Sequence, residues 1–368
     1  MPGIGILCAP LAHAQTTINP DISLIGDIRA VAHTDAARPD ERDNVNLDLS
    51  GAEIAIQGYL NPYARADAYF GWHEGVNAEV EELYFTISRG IPFGISLRGG
   101  RYLLLFDKVN PLHPHAYSFI HRPLMHEEFF GEEGLRDVGV RASMLVPVGN
   151  VAAEISIDVL KNDWLSPHEH GEGDAHDHET DEVADDEVPS ERSFLGRVES
   201  FVPITELTSL SIGVSALTGV PTDDERRTVV GADAKLRWKP DRYQSFTAVA
   251  EWMVNHAPAN NAFEHVAAGA SQDHDSESVT SHGLFGYFDY QFRERYNVGA
   301  LGDWTQHADD SDHDRWRLGG FAGFAPVGET TLLRLLVDYT RDDAVVEGFW
   351  TATLQLVFSL GPHRPHTF

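Results

Sequence analysis

The chain has almost no sulfur chemistry to offer. Of its 368 residues a single one is cysteine, Cys8, within the apolar opening stretch MPGIGILCAPLAHAQ. That stretch closes on Ala12-His13-Ala14, an A-x-A cleavage pattern before Gln15. Residues 1–14 therefore read as a signal peptide, whole or the end of a longer leader, and cleavage removes Cys8. Disulfides and thiolate metal sites are then excluded. Basic residues are scarce as well: 27 Lys and Arg face 57 Asp and Glu, a formal charge of −30. Nucleic-acid binding needs clustered cations and is excluded. Past the leader there is no run of about 18 apolar residues, so no spanning helix is expected. An exported chain of this kind is either soluble or crosses a membrane in the one other permitted form, a closed barrel. Neither G-x-S-x-G nor H-E-x-x-H occurs, and no enzyme is expected.

What is present is a two-residue rhythm. In VAAEISIDVL, Val151, Ala153, Ile155, Ile157 and Val159 share one face, opposite Glu154, Ser156 and Asp158. In VGADAKLRW, Val230, Ala232, Ala234, Leu236 and Trp238 oppose Asp233, Lys235 and Arg237. This is strand periodicity. It recurs in about sixteen segments, near 21–32, 46–59, 63–72, 78–89, 94–104, 135–146, 151–164, 193–202, 207–218, 228–238, 244–255, 283–293, 296–306, 315–325, 330–341 and 346–360. The second and fourth are the least regular. In the second, apolar parity switches from Leu47 and Leu49 to Ala52, Ile54 and Ile56, as a bulge would cause.

Short turns such as LNP (60–62) and PVGN (147–150) alternate with long polar loops such as 105–134 and 165–192. Aromatic residues gather near strand ends, where interfacial girdles lie. Together these features predict an all-β, transmembrane, antiparallel up-and-down barrel of about sixteen strands over residues 15–368. Short periplasmic turns and long extracellular loops place it in a bacterial outer membrane, its outer face against lipid. The chain ends in Phe368, as bacterial outer-membrane barrels commonly do, which would present it to the barrel-assembly machinery. A homotrimer is compatible with this layout, although no residue marks an interface.

A barrel this wide encloses water unless something fills it. The polar strand faces supply a lining of mixed sign: Arg65, Asp67, Arg98, Arg141, Glu154, Asp158, Arg197, Glu199, Asp233, Lys235, Arg237, Glu251, Asp289, Arg334 and Asp338. Loop 105–134 is long and apolar, and it is expected to fold inward and narrow the pore; a cap on the rim is the alternative. Within it, NPLHPHAYSFIHRPLMHEEFFGEEGLRDVGV (110–140), together with the terminus LQLVFSLGPHRPHTF (354–368), resembles a porin-like family of proteobacterial outer-membrane proteins. Members of that family are often labelled zinc-regulated TonB-dependent receptors. The resemblance implies an outer-membrane barrel linked to zinc supply. The first strand begins within about ten residues of the cleavage site, which leaves no room for the plug of a 22-stranded TonB-dependent receptor. Passive passage is the expectation.

Histidine is the remaining signal, with 19 copies. The stretch SPHEHGEGDAHDHETDEVADDEVPS (166–190) holds His168, His170, His176 and His178 among ten carboxylates, without Lys or Arg. Loop 105–134 adds His113, His115, His121 and His126. Imidazole beside carboxylate is a ligand mixture that zinc and its neighbours accept. A merely solvated tract is the plain alternative. The sequence therefore predicts a porin-like channel for passive uptake of small solutes, with divalent cations such as zinc captured by the histidine-rich loops. No resident cofactor is required. A non-conducting barrel that binds metal or another partner at the surface is the competing reading.

Overall fold

A computed structural model describes residues 20–36, 38, 42, 44–72, 78–165, 192–220, 226–258, 278–327, 330–344 and 348–361. The predicted leader 1–14, the tract with His168, His170, His176 and His178, and Phe368 lie outside the described residues. Alternating segments become strands because a pleated backbone turns successive side chains to opposite faces. The first eight are β1 (Asp21–His33), β2 (Asn46–Asn61), β3 (Ala64–Trp72), β4 (Glu79–Ile87), β5 (Ile95–Leu103), β6 (Arg136–Val148), β7 (Val151–Leu160) and β8 (Ser193–Pro203). The rest are β9 (Thr208–Gly219), β10 (Arg227–Trp238), β11 (Gln244–Pro258), β12 (Ser278–Phe292), β13 (Tyr296–Gln306), β14 (Asp314–Val327), β15 (Thr331–Asp342) and β16 (Phe349–Leu360).

Each strand pairs antiparallel with its neighbours in sequence, and β1 closes on β16 from Leu24↔Leu360 to His33↔Thr351. Closure leaves no row of unpaired backbone groups, which an apolar medium would penalise. The sixteen-strand barrel expected from the alternation is the fold observed. The β1–β2 register shifts between Asp27 and Arg29, opposite the point where apolar parity changes in β2. A second shift, between Tyr69 and Phe70, leaves Glu81 as the extra residue of β4.

The outer face is apolar. Leu83, Val140, Ile157, Val214, Leu284, Leu318 and Leu354 are all at least half exposed. A water-soluble monomer rarely leaves so continuous an apolar surface open. Aromatic rings bracket it, with Tyr290, Phe292, Tyr296 and Phe324 stacked near the short-turn rim. Toward the long-loop rim, Trp316, Tyr339 and Trp350 pack across strands.

The interior is not simply water. Residues 104–135 turn into the barrel and carry one short helix, α1 (Leu124–Phe130). Phe106, Phe119, Met125 and Phe129 of this segment pack with inward-facing Leu195, Val229, Met253, Phe285, Phe321 and Leu336 of the wall. A dry core thus forms inside the cylinder and shifts any open passage toward β1–β7.

Candidate functional site

The inner loop hangs from the wall by its own backbone. Arg197 donates to the Phe106 carbonyl (2.6 Å), Arg227 to Phe129 (2.6 Å), Arg317 to Arg122 (2.6 Å) and Arg334 to Phe119 (3.2 Å). Wall carboxylates take the amides in turn: Glu251 accepts from Lys108 and Val109, and Asp303 from Leu124. A guanidinium presents several donors in a fixed fork, so one arginine can hold a loop carbonyl and a wall carboxylate together. Arg197 does so with Asp233 at 2.6 Å, and Arg317 with Asp303 at 3.0 Å. At the neck, Asn110 donates to the Leu104 and Leu135 carbonyls and accepts from the Leu135 amide.

Two cavities lie beside the loop among the described residues. The outer one, of about 940 Å³, opens toward the long-loop rim and is lined by eight carboxylates and five arginines, among them Glu53, Glu79, Glu81, Arg29 and Arg136. The inner one, of about 340 Å³, lies toward the short-turn rim and is lined by Tyr69, Glu82, Tyr84, Arg98, Arg141 and Glu154, among others. Leu103 and His113 line both. They mark the boundary between the two cavities.

His113 is gripped at that boundary by three wall carboxylates. Its Nδ1 lies 3.0 Å from Glu53 and 3.3 Å from Glu81, and its Nε2 lies 2.8 Å from Glu82. Tyr69 stacks on one side of the ring, centroids 4.8 Å apart, and His115 at 5.7 Å. Burial opposes charge on this imidazole, but the charge of Glu53 and the hydrogen bonds of Glu53, Glu81 and Glu82 outweigh it. The ring titrates well above its ordinary value of 6.5. The β4 bulge creates this geometry. An extra residue lets the successive side chains of Glu81 and Glu82 both reach one ring, where strict alternation would send them to opposite faces. Gly71 serves it, since a Cβ there would overlap the Glu81 side chain.

The comparisons agree with this architecture. No family model matches the chain. An uncharacterized protein of Aquifex aeolicus (strain VF5) is 29% identical over 154 residues, which cover 37% of this chain and only 32% of that protein. The anion-selective porin from Comamonas acidovorans superposes with a TM-score of 0.61 over 93% of this chain and 99% of its own, at 9% identity. The outer-membrane channel DcaP of Acinetobacter baumannii gives 0.57 over 94% and 99%, at 12% identity. The trimer form of OmpT of Vibrio cholerae gives 0.55 over 93% and 100%, at 7% identity. The fold is that of the outer-membrane porins. These likenesses support the porin-like part of the family resemblance and do not bear on its zinc or TonB label.

Within this porin fold the expected lining divides in two. Arg98, Arg141 and Glu154 face the inner cavity, with Arg98 4.3 Å over the Tyr84 ring and Arg141 paired to Asp158 at 2.9 Å. Arg65 and Asp67 pair with each other, and Asn297 donates to Asp289. Lys235 and Arg237 are half-buried, and Asp338 is buried beside Thr340. For Arg197, Asp233, Glu251 and Arg334 the expectation of a water-lined wall is corrected: the loop covers them, and Arg197, Glu251 and Arg334 hold its backbone. Glu199 pairs with Lys108 of the same loop.

The four histidines of the loop do not converge on one point. His113 and His115 join the glutamates, with His115 3.6 Å from Glu53. His121 lies beside Thr353, its pKa pushed down to about 3 by burial and by Arg317 and Arg29, surroundings that repel a cation. His126 is buried with Asp107 and Glu251. Sequence reading missed Glu53, Glu81, Glu82 and Asp107 as partners; the irregular fourth segment was the one available signal. His307 sits at the rim near Glu128 and Asp342.

Proposed function

We propose that this chain is an outer-membrane channel that passes small solutes without energy input and prefers divalent cations, zinc among them. The observation that carries this reading is the junction of two cavities at a single imidazole held by Glu53, Glu81 and Glu82. The apolar outer band and its aromatic girdles support a bilayer address. The acid-rich outer cavity supports cation accumulation, because clefts lined by one dominant sign concentrate counter-ions. The anion-selective neighbour from Comamonas acidovorans poses the opposite case. Anion preference needs dominant cations at the narrow point, whereas here three carboxylates surround one ring. The tract holding His168, His170, His176 and His178 supports capture of metal ahead of the pore. The trimer form of the Vibrio cholerae neighbour supports a homotrimer.

A metal ion must expel the His113 proton to bind there, so capture strengthens as pH rises. Planar-bilayer recording tests the reading. Stepwise currents with a cation-sided reversal potential are expected, reduced by micromolar zinc. Glu82→Gln removes one unit of attraction, about 1 kcal/mol at 4 Å even in water-like dielectric, so its cation preference falls about fivefold. Silence at all voltages overturns the channel reading, and anion preference overturns the cation reading; silence with zinc still bound by the His168–His178 tract leaves the barrel as a surface metal-binding protein. The dry core inside the cylinder is what favours that second reading.

A further inference from the structure

One buried group lies outside both cavities. His126 on α1, Asp107 at the start of the inner loop and Glu251 on β11 are 0, 3 and 1% exposed. The two carboxylates are oriented alike. Asp107 Oδ1 accepts from the amides of Val109 (3.0 Å) and Asn110 (2.7 Å), and Glu251 Oε1 accepts from Lys108 (2.9 Å) and Val109 (3.0 Å). Each then turns its second oxygen to His126 Nε2, Asp107 Oδ2 at 2.8 Å and Glu251 Oε2 at 3.6 Å. Glu251 Oε2 has no hydrogen-bond partner among the described residues. A buried carboxylate oxygen left so is costly and calls for an explanation.

Charge sharpens the point. Beside this group, Arg197 and Lys108 are paired with Asp233 and Glu199, two cations against two anions. With both carboxylates ionised and the imidazole neutral, the triad carries two negative charges in a dry place. A divalent cation cancels them.

We propose that Asp107, His126 and Glu251 form a structural site for one zinc-like divalent ion that clamps the inner loop to β11. The three ligand atoms lie within 4.8 Å of one another. A tetrahedral ion with bonds of about 2.0–2.2 Å sets its ligand atoms about 3.3–3.6 Å apart. The Glu251 separation already fits, and the Asp107 separation needs to open by about half an ångström. Hydrogen bonds from the 107–110 backbone to the outward oxygens supply the orientation that ligating carboxylates require. The ion joins the loop start, its helix and the wall, three pieces far apart in the chain. The site is independent of the channel reading, since a silent barrel could carry it equally well.

The test uses the full barrel, purified and folded in detergent, with His168, His170, His176 and His178 replaced by alanine. After equilibration with zinc chloride and gel filtration, one zinc per chain is expected. His307→Ala in the same background keeps it. His126→Gln and Glu251→Gln each weaken it about tenfold or more. Cobalt(II) substituted for zinc should give visible absorption that those two variants abolish. Zinc also raises the melting temperature of the background protein and a chelator lowers it, a readout that survives if the variants misfold. No stoichiometric zinc with no change in melting temperature overturns the site, as does zinc held at full affinity by both variants. A failed channel reading would appear instead as silent bilayers with this zinc in place.

Discussion

At the scale of single residues, protonation of His113 is the pivot. Its pKa is raised, so the stabilisation it draws from Glu53, Glu81 and Glu82 is complete below about 6.5 and is lost as pH climbs through the elevated folded value. The inner loop is accordingly expected to loosen in alkali, measurable as faster protease cleavage within 105–134, and His113→Gln should flatten that dependence. Over the same interval the boundary between the two cavities changes from three carboxylates with an imidazolium to three carboxylates with a neutral ring. Cation preference in bilayer recordings is therefore expected to rise with pH. A preference that falls would place the controlling charge elsewhere. Leu354→Arg probes another residue property. Leu354 is half exposed on the outer face and pairs with Leu335 across β15–β16. Charge near the middle of an apolar band costs roughly 2–4 kcal/mol, so the heat-modifiable folded band on a gel should weaken.

At the scale of elements, the inner loop is a folded body with its own fastenings. Asn110→Ala removes three hydrogen bonds at its neck and leaves the buried Leu135 amide unsatisfied, at a cost on the order of 1–3 kcal/mol, while the Leu104 and Leu135 carbonyls keep backbone donors. Noisier open-channel current and a larger mean conductance are the expected readouts; unchanged records would mean that the arginine contacts alone hold the loop. The strands were legible in the sequence because alternation is a local property, and the predicted and observed spans differ by only a few residues. The loop's seat was not. Leu160, Met253 and Leu336 stand at polar-parity positions, and that is the one local trace of an apolar body lying against them. Glu81 was hidden for a similar reason, since a bulge of one residue breaks the rhythm from which faces are assigned.

At the scale of the whole molecule, charge and shape together define the proposed function. A strongly acidic chain that turns apolar residues outward and carboxylates toward its inner cavities suits the proposed membrane conduit for cations. The contribution of the tract containing His168, His170, His176 and His178 is tested by replacing all four with alanine. The zinc response of the current should then shift to higher zinc concentration, while the reversal potential in zinc-free salt stays put. A shift in both would assign the tract to the pore itself. The acidity and the outward apolar face were legible from composition and periodicity. The His113 grip was not, because its partners come from strands some 30 to 60 residues earlier and only closure brings them together.

The manner in which the inner loop is suspended also sets an order of events. Its carbonyls are taken by Arg197, Arg227, Arg317 and Arg334, all of them later in the chain than the loop and as far away as β15. Until those strands arrive, Phe106, Phe119 and Phe129 have nowhere dry to go. The nascent polypeptide must carry this greasy segment through most of its assembly, and only the last stages of zipping tuck it away.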